Sequence, residues 1–157
     1  MGTGAGSFSF GATKGFQMEK NKFESEETLK NELRRNNIKF NEEDIQFIVR
    51  DKTGQIVWLE SGNNNAGLKH ILDGKDGNSG HAKDFERAYG IKRDEVSSFL
   101  KNVLTEGTIV SNQLHSISGG KLGYERIYKY QGNYYTLVGI GTNGFIVSAY
   151  PISKEDV

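Results

Sequence analysis

The feature that most constrains the fold is an alternation of polar and apolar residues that begins near residue 108. The alternation recurs in four stretches, at residues 108–114, 124–130, 134–140 and 145–150. The last three are separated by Gln-Gly-Asn and Thr-Asn-Gly, and Asn-Gly is a strong hairpin signal because both residues accept positive φ. The C-terminal third is therefore predicted to be an antiparallel meander of three or four strands.

Helical spacing of apolar residues characterises the chain before this meander. Ser25 can cap a helix that ends near Asn36, and further apolar stripes occupy residues 68–72 and 96–104. A weaker hairpin is predicted around the turn Asp-Lys-Thr-Gly at residues 51–54. Helices followed by strands are typical of the α+β class, with N-terminal helices packed on one face of the antiparallel sheet.

Length and composition bound the organisation of the chain. Its 157 residues suit one domain, and residues 1–22 are rich in Gly and Ser, which predicts a linker or a junction with a longer polypeptide. Residues 23–157 would then form the single domain. The absence of cysteine excludes disulfides and a thiol nucleophile, and no apolar run reaches the roughly 18 residues of a membrane span.

The distribution of charge is more informative than its total. The formal net charge is zero, which argues against a general polyanion binder but leaves room for a local basic site. Across residues 107–150, Lys121, Arg126 and Lys129 stand against a single acid, Glu125. The sheet is therefore predicted to be the electropositive part of the molecule.

Two histidines in the helical block are candidates for proton transfer. His70 and His81 lie eleven positions apart, and imidazole exchanges protons near neutral pH, so a pair of them suits general acid–base chemistry. The alternative is two surface histidines without a role. A zinc site is less favoured, because the chain has no His-Glu-x-x-His motif and no cysteine.

Alternation along the second predicted strand of the meander groups its side chains by face. One face carries Tyr124, Arg126, Tyr128 and Tyr130, and the other carries Glu125, Ile127 and Lys129. A guanidinium among tyrosines could hold a phosphate diester while the rings stack on bases. In the alternative interpretation, the tyrosines pack under the helices and the arginine either snorkels or pairs with an acid.

The last strand and one loop supply further polar candidates. Ser148 and Tyr150 interrupt an apolar run, so their hydroxyls either find protein partners or face a cleft, where Ser148 could donate to a phosphate. Ser148 is not expected to be a nucleophile, because the Gly-x-Ser-x-Gly elbow is absent. His115 precedes a Ser- and Gly-rich segment that could bind an anion, although such a residue more often only lines a loop.

Three segments resemble one known superfamily, the small metal-independent RNases related to barnase, EndoU, colicin RNases and RelE, especially in polymorphic toxins and phage proteins. They are Asn-Ala-Gly-Leu-Lys-His-Ile-Leu at residues 65–72, Gly-His-Ala-Lys-Asp-Phe at residues 80–85 and the strand at residues 146–151. With the strand order, the resemblance covers residues 45–151. It implies helices packed on a four-stranded antiparallel sheet, with RNA bound in the cleft.

The resemblance also implies roles for individual residues. His70 and His81 would transfer protons, with Lys69 nearby, while Arg126 would hold the phosphate. Ser148 and Tyr150 would orient the phosphate from the last strand, and Tyr124 and Tyr128 would bind substrate. No metal or cofactor is implied, because the 2′-OH of RNA itself attacks the phosphate and leaves a 2′,3′-cyclic end. These groups are expected to meet at the seam between the helices and the sheet.

At the level of biology, the resemblance implies a toxin domain. Such a domain would be delivered as the C-terminal part of a larger effector, act in the cytoplasm of the target cell and be neutralised by an acidic immunity protein. The neutral charge favours a narrow substrate such as tRNA, and a monomer without a membrane partner is expected. Two alternatives stay open: a toxin that consumes NAD or transfers ADP-ribose, although no Glu-x-Glu follows the strands, and a protein-binding module without catalysis.

Overall fold

The computed structural model describes residues 24–117 and 120–157, so the linker predicted at residues 1–22 lies outside the described residues. Within these ranges, four helices and six strands follow one another as α1 (Glu26–Arg35), β1 (Ile45–Arg50), β2 (Ile56–Glu60), α2 (Leu68–Asp73), α3 (Ala82–Tyr89), α4 (Val96–Glu106), β3 (Thr108–Ser116), β4 (Leu122–Tyr130), β5 (Tyr134–Gly141) and β6 (Ile146–Ile152). Short 3₁₀ turns occupy Glu42–Asp44, Arg93–Glu95 and Lys154–Asp156.

The last four strands form the predicted meander. Their order in the sheet is β3-β4-β5-β6, and every neighbouring pair is antiparallel. The α+β class and the four-stranded sheet preceded by helices are therefore confirmed. In the β5–β6 turn, Gly144 has a φ of 106°, and a Cβ there would lie 2.1 Å from the Ile56 carbonyl oxygen, so only glycine fits. The Gly144 carbonyl also accepts the Trp58 N–H at 3.1 Å, which joins this hairpin to β2.

The predicted N-terminal helix and first hairpin are also confirmed. Ser25 caps α1 by accepting the Thr28 N–H at 3.1 Å, and two apolar side chains of α1 pack against one face of the β1–β2 hairpin. The buried residues of this contact are Leu29, Leu33, Ile48, Ile56 and Trp58. The opposite face of the hairpin joins the main core, so the hairpin is covered on both sides.

The main core lies between the helices and one face of the four-stranded sheet. Phe85 of α3 and Leu100 of α4 pack with Tyr128, Val138 and other buried residues of the sheet. Gly90 ends α3 in the left-handed conformation, which turns the chain toward α4. One face of the sheet is consequently filled by helices, and the polar side chains of the other face remain partly or fully exposed.

The buried hydroxyl of Tyr128 predicts a loss of stability in alkali. Burial raises the pKa of Tyr128 to about 12, from the ordinary 10.0 of a tyrosine. Below pH 10 the hydroxyl is protonated in both states, but above it the unfolded chain ionises first, so the native state loses stability until pH 12. We expect the free energy of unfolding to fall by about 2–3 kcal/mol over this window, as measured by urea denaturation.

The matched variants are Tyr128→Phe and Tyr135→Phe. The first removes the titrating hydroxyl from the core, and its decline between pH 10 and 12 should be smaller than that of the parent chain by about 2–3 kcal/mol. The second removes the hydroxyl of Tyr135, which is only partly buried, and should behave as the parent chain does. An equally steep decline in Tyr128→Phe would contradict this origin of the pH dependence.

Candidate functional site

The two faces of the meander separate the predicted site residues. In the strand register, Arg126 lies opposite Val138, and Val138 lies opposite Ala149. This row of side chains faces the helical core. In the adjacent row Glu125 pairs with Gly139, which pairs with Ser148, and this row points to the opposite face. The structure therefore does not bring Arg126 and Ser148 together, and the predicted cluster at the seam does not form as one site.

Arg126 belongs to a polar network inside the protein. Its Nη1 donates to Asp51 Oδ2 at 2.6 Å and to the Tyr128 hydroxyl at 3.2 Å, and its Nε donates to Asn112 Oδ1 at 3.1 Å. The guanidinium also lies over the Tyr124 ring, 5.2 Å from its centroid. Arg126 is only 1% exposed and Tyr128 is 0% exposed. The interpretation in which Arg126 pairs with an acid is thus the observed one, and neither side chain is open to a ligand.

The exposed face carries a shallow surface, here called the exposed strip, formed by Glu125, Gly139, Ser148 and Tyr150. Because neighbouring strands lie about 4.8 Å apart, the backbones of Glu125 and Ser148 are roughly 10 Å apart, with Gly139 between them. A Cβ on Gly139 would meet only Ser148, at 3.8 Å, so the fold does not demand glycine here. The glycine leaves an open floor between a carboxylate and a hydroxyl.

The hydroxyl groups of Ser148 and Tyr150 on the exposed strip can donate hydrogen bonds to a ligand. Burial raises the pKa of Tyr150, and the negative charge of Glu125 raises it further, so the phenol stays protonated near neutral pH. Within the described part of the chain, neither the Ser148 nor the Tyr150 hydroxyl makes a hydrogen bond to protein. Both are partly buried, which leaves them available to an anion bound on the strip.

His81 lies at the rim of the exposed strip. It immediately precedes α3, and its ring packs edge-on against Tyr150 with centroids 4.7 Å apart. Its Nδ1–H donates to Asp84 Oδ2 at 2.8 Å. This hydrogen bond lowers the pKa of Asp84, and Arg87, 3.0 Å from the other carboxylate oxygen, lowers it further. Asp84 is therefore a carboxylate at neutral pH, which fixes the imidazole tautomer and makes Nε2 the atom that exchanges a proton.

Glu125 and His115 form a pair that the sequence argument missed. His115 lies within β3, not in the loop after it, and its Nε2 is 3.0 Å from Glu125 Oε1. Its Nδ1 is 3.0 Å from the Ser116 carbonyl oxygen. Since both ring nitrogens face acceptors, the imidazole can donate a hydrogen bond to Glu125 Oε1 or to the Ser116 carbonyl oxygen. The proximity of His115 to Glu125 could have been predicted by counting the strand register back from the hairpin turns.

The remaining candidates, His70 and Lys69, lie on α2 and not on the exposed strip. The His70 Nδ1 is 2.8 Å from the Asn64 carbonyl oxygen, and its side chain lines a cavity of about 300 Å³ together with Lys75 and Lys121. Lys69 is exposed, with its Nζ 4.0 Å from Asp73 Oδ2. The structure therefore joins His81, Ser148 and Tyr150 and places His70 and Lys69 elsewhere.

Two further observations concern metal binding and membrane-spanning helices. In residues 24–117 and 120–157, no group of three or more His, Cys, Asp or Glu side chains is arranged to hold a metal ion. The helices of the same residues include none that is long and apolar enough to span a membrane.

The chain matches no family model, and no curated protein matches it. The chemistry of the exposed strip is therefore the starting point for a functional assignment.

Proposed function

We propose that the chain is a metal-independent endoribonuclease whose exposed strip binds the scissile phosphate. The observation that supports this proposal is a single exposed surface that presents a carboxylate, two hydroxyl donors and an imidazole oriented by a carboxylate. These are the groups needed to move two protons and to stabilise the charge that develops on a phosphate. The resemblance to small metal-independent RNases points to the same reaction.

In the proposed reaction, Glu125 accepts the proton of the substrate 2′-OH while that oxygen bonds to the adjacent phosphorus. The bond from phosphorus to the 5′-oxygen breaks, and protonated His81 gives the proton on Nε2 to the departing oxygen. The products are a 2′,3′-cyclic phosphate and a free 5′-OH, so atoms and charges balance. The base and the acid flank the same residue, because Tyr150 contacts the His81 ring and experiences the Glu125 charge.

The charge on the phosphate oxygens is balanced by donors of the same face. Ser148 and Tyr150 donate hydrogen bonds, and the His115 imidazole lies beside Glu125 on the same face. Lys129 extends the same face of β4 and is exposed. These groups replace the buried Arg126 as the source of electrostatic stabilisation.

The biological setting follows from the resemblance. We propose a toxin domain that is delivered within a larger effector, acts on RNA such as tRNA in the cytoplasm of the target cell and is neutralised by an immunity protein. The absence of net charge supports a selective substrate over bulk RNA.

The test compares nucleic acid and NAD as substrates. The purified chain is incubated with total RNA in EDTA and, in parallel, with NAD. We expect RNA fragments with 2′,3′-cyclic phosphate and 5′-OH ends, and no cleavage of RNA that is 2′-O-methylated throughout, since the attacking oxygen is then blocked. Intact RNA with consumption of NAD would replace this proposal by an NAD-directed toxin. Survival of both substrates would favour a binding module.

A further inference from the structure

A groove runs beside the β5–β6 hairpin, next to the exposed strip. It consists of two adjoining cavities of about 890 and 300 Å³, and both are lined by Lys121, Phe145 and Val147. Val147 directly precedes Ser148 in β6, so the groove and the exposed strip adjoin along this strand. This surface is here called the hairpin groove, and its lining also includes Lys39, Trp58 and Lys75.

The charge of the hairpin groove is positive. Its three lysines are exposed, and none forms an ion pair with a carboxylate of the described residues. The single acidic residue of the lining is Glu60. Its Oε2 accepts the backbone N–H of Asn41 at 2.9 Å and the Trp58 Nε1–H at 2.8 Å, so this carboxylate is engaged within the protein. The lysine ammonium groups are therefore available to an anionic ligand.

Aromatic rings line the same groove as these cations. Phe40 and Phe145 each pack edge-on against Trp58, with centroid distances of 6.4 and 5.8 Å. Trp58 is buried, whereas the two phenylalanine rings are partly exposed in the groove. Phe145 is the ring shared by both cavities, of which the smaller is also lined by Lys75 and the larger by Lys39.

We propose that the hairpin groove binds single-stranded RNA on one side of the cleavage point, and this inference rests on the proposed ribonuclease function. Single-stranded nucleic acid is held where cations meet successive phosphates and aromatic rings meet bases, and the groove presents both kinds of group. Lys39, Lys75 and Lys121 contact phosphates, and Phe145 stacks on a base. A groove of this kind explains how a chain of zero net charge binds a polyanion through one local surface.

The test is the salt dependence of binding to a substrate that cannot be cut. A fluorescent RNA oligonucleotide with 2′-O-methyl groups throughout is titrated with the full chain at several salt concentrations. Each lost phosphate contact lowers the slope of log K against log salt by about 0.7 and weakens binding roughly 5-fold at 0.1 M salt. We therefore expect about 100-fold weaker binding in the triple variant Lys39→Gln, Lys75→Gln, Lys121→Gln, with a slope smaller by about 2.

The matched control is Lys101→Gln. Lys101 is exposed on α4 and lines a different cavity that shares no residue with the hairpin groove, so its removal should leave the slope unchanged. Thermal unfolding of every variant checks that the fold is intact. Binding and slope equal to the parent in the folded triple variant would overturn the inference, and a protein partner would then be the better occupant.

Cleavage of a dinucleotide separates this inference from the proposed function. A dinucleotide occupies the exposed strip without reaching the groove, so the triple variant should cleave it at the parental rate while its KM for long RNA rises. If the parent chain cleaves neither substrate but the triple variant still loses oligonucleotide binding, the ribonuclease proposal fails and the groove remains a single-strand site. If the triple variant loses dinucleotide cleavage as well, the groove is not a separate subsite.

Discussion

Exchange of Glu125 for glutamine is expected to lower the rate constant of RNA cleavage by about 10²–10⁴-fold, the usual contribution of a general base. The amide keeps the size of the side chain but cannot take the proton of the 2′-OH. His81→Ala should cause a loss of the same order, because the departing 5′-oxygen then lacks a proton donor. Cleavage of a defined RNA under single-turnover conditions measures both losses without interference from product release.

The comparison requires folded variants and a neutral control. Glu125 and His81 are partly exposed and each has one polar partner, so their exchange should lower the free energy of unfolding by only about 0.5–1.5 kcal/mol. Glu43→Gln removes an exposed carboxylate near the start of β1 and should leave the rate unchanged. Parental rates in both Glu125→Gln and His81→Ala would show that the exposed strip is not the catalytic surface.

Of all the substitutions proposed, the one that removes the charge on Asp51 should lower the free energy of unfolding most. Asp51→Asn is expected to lower the free energy of unfolding by about 3–5 kcal/mol, because it leaves Arg126 buried without a counter-ion. The exchange is conservative, since the Oδ1 that accepts the Thr53 and Gln55 N–H groups is retained in asparagine. Urea denaturation at neutral pH gives the difference directly.

Two further variants isolate the buried pair. Asp94→Asn removes an exposed carboxylate and should cost no more than about 0.5 kcal/mol. Adding Arg126→Met to Asp51→Asn removes the unpaired cation and should recover most of the lost stability, as replacement of buried ion pairs by apolar side chains often does. A cost below about 1 kcal/mol for Asp51→Asn, or no recovery in the double variant, would contradict the assigned role of the pair.

The sheet could be predicted from the sequence because its signals are local. Alternation marks each strand, the Asn-Gly dipeptide marks the last turn, and every strand pairs with its neighbour in the chain. The same alternation assigned Arg126 and Glu125 correctly to opposite faces. Local pattern does not say which face the helices cover, because tyrosine is found both in cores and at binding surfaces.

The site was harder to predict because its contacts are not local. Asp51, the partner of Arg126, lies 75 positions away, and no periodicity connects the two. The Glu125–His115 pair depends on strand register and on the length of β3, which extends two residues beyond the predicted stretch. His70 and His81 looked like a pair because they are close in the chain, whereas their rings face different surroundings.

The buried ion pair also bears on how the strands are aligned. A slip of β4 by one residue against its neighbours would exchange its two faces. Glu125 would then turn toward Asp51, and Arg126 would turn toward solvent, so the interior would hold two carboxylates in place of opposite charges. Like charges in a low dielectric repel strongly, which disfavours that alignment. Asp51, although remote from the exposed strip, thereby favours the one alignment in which the carboxylate of Glu125 reaches the surface.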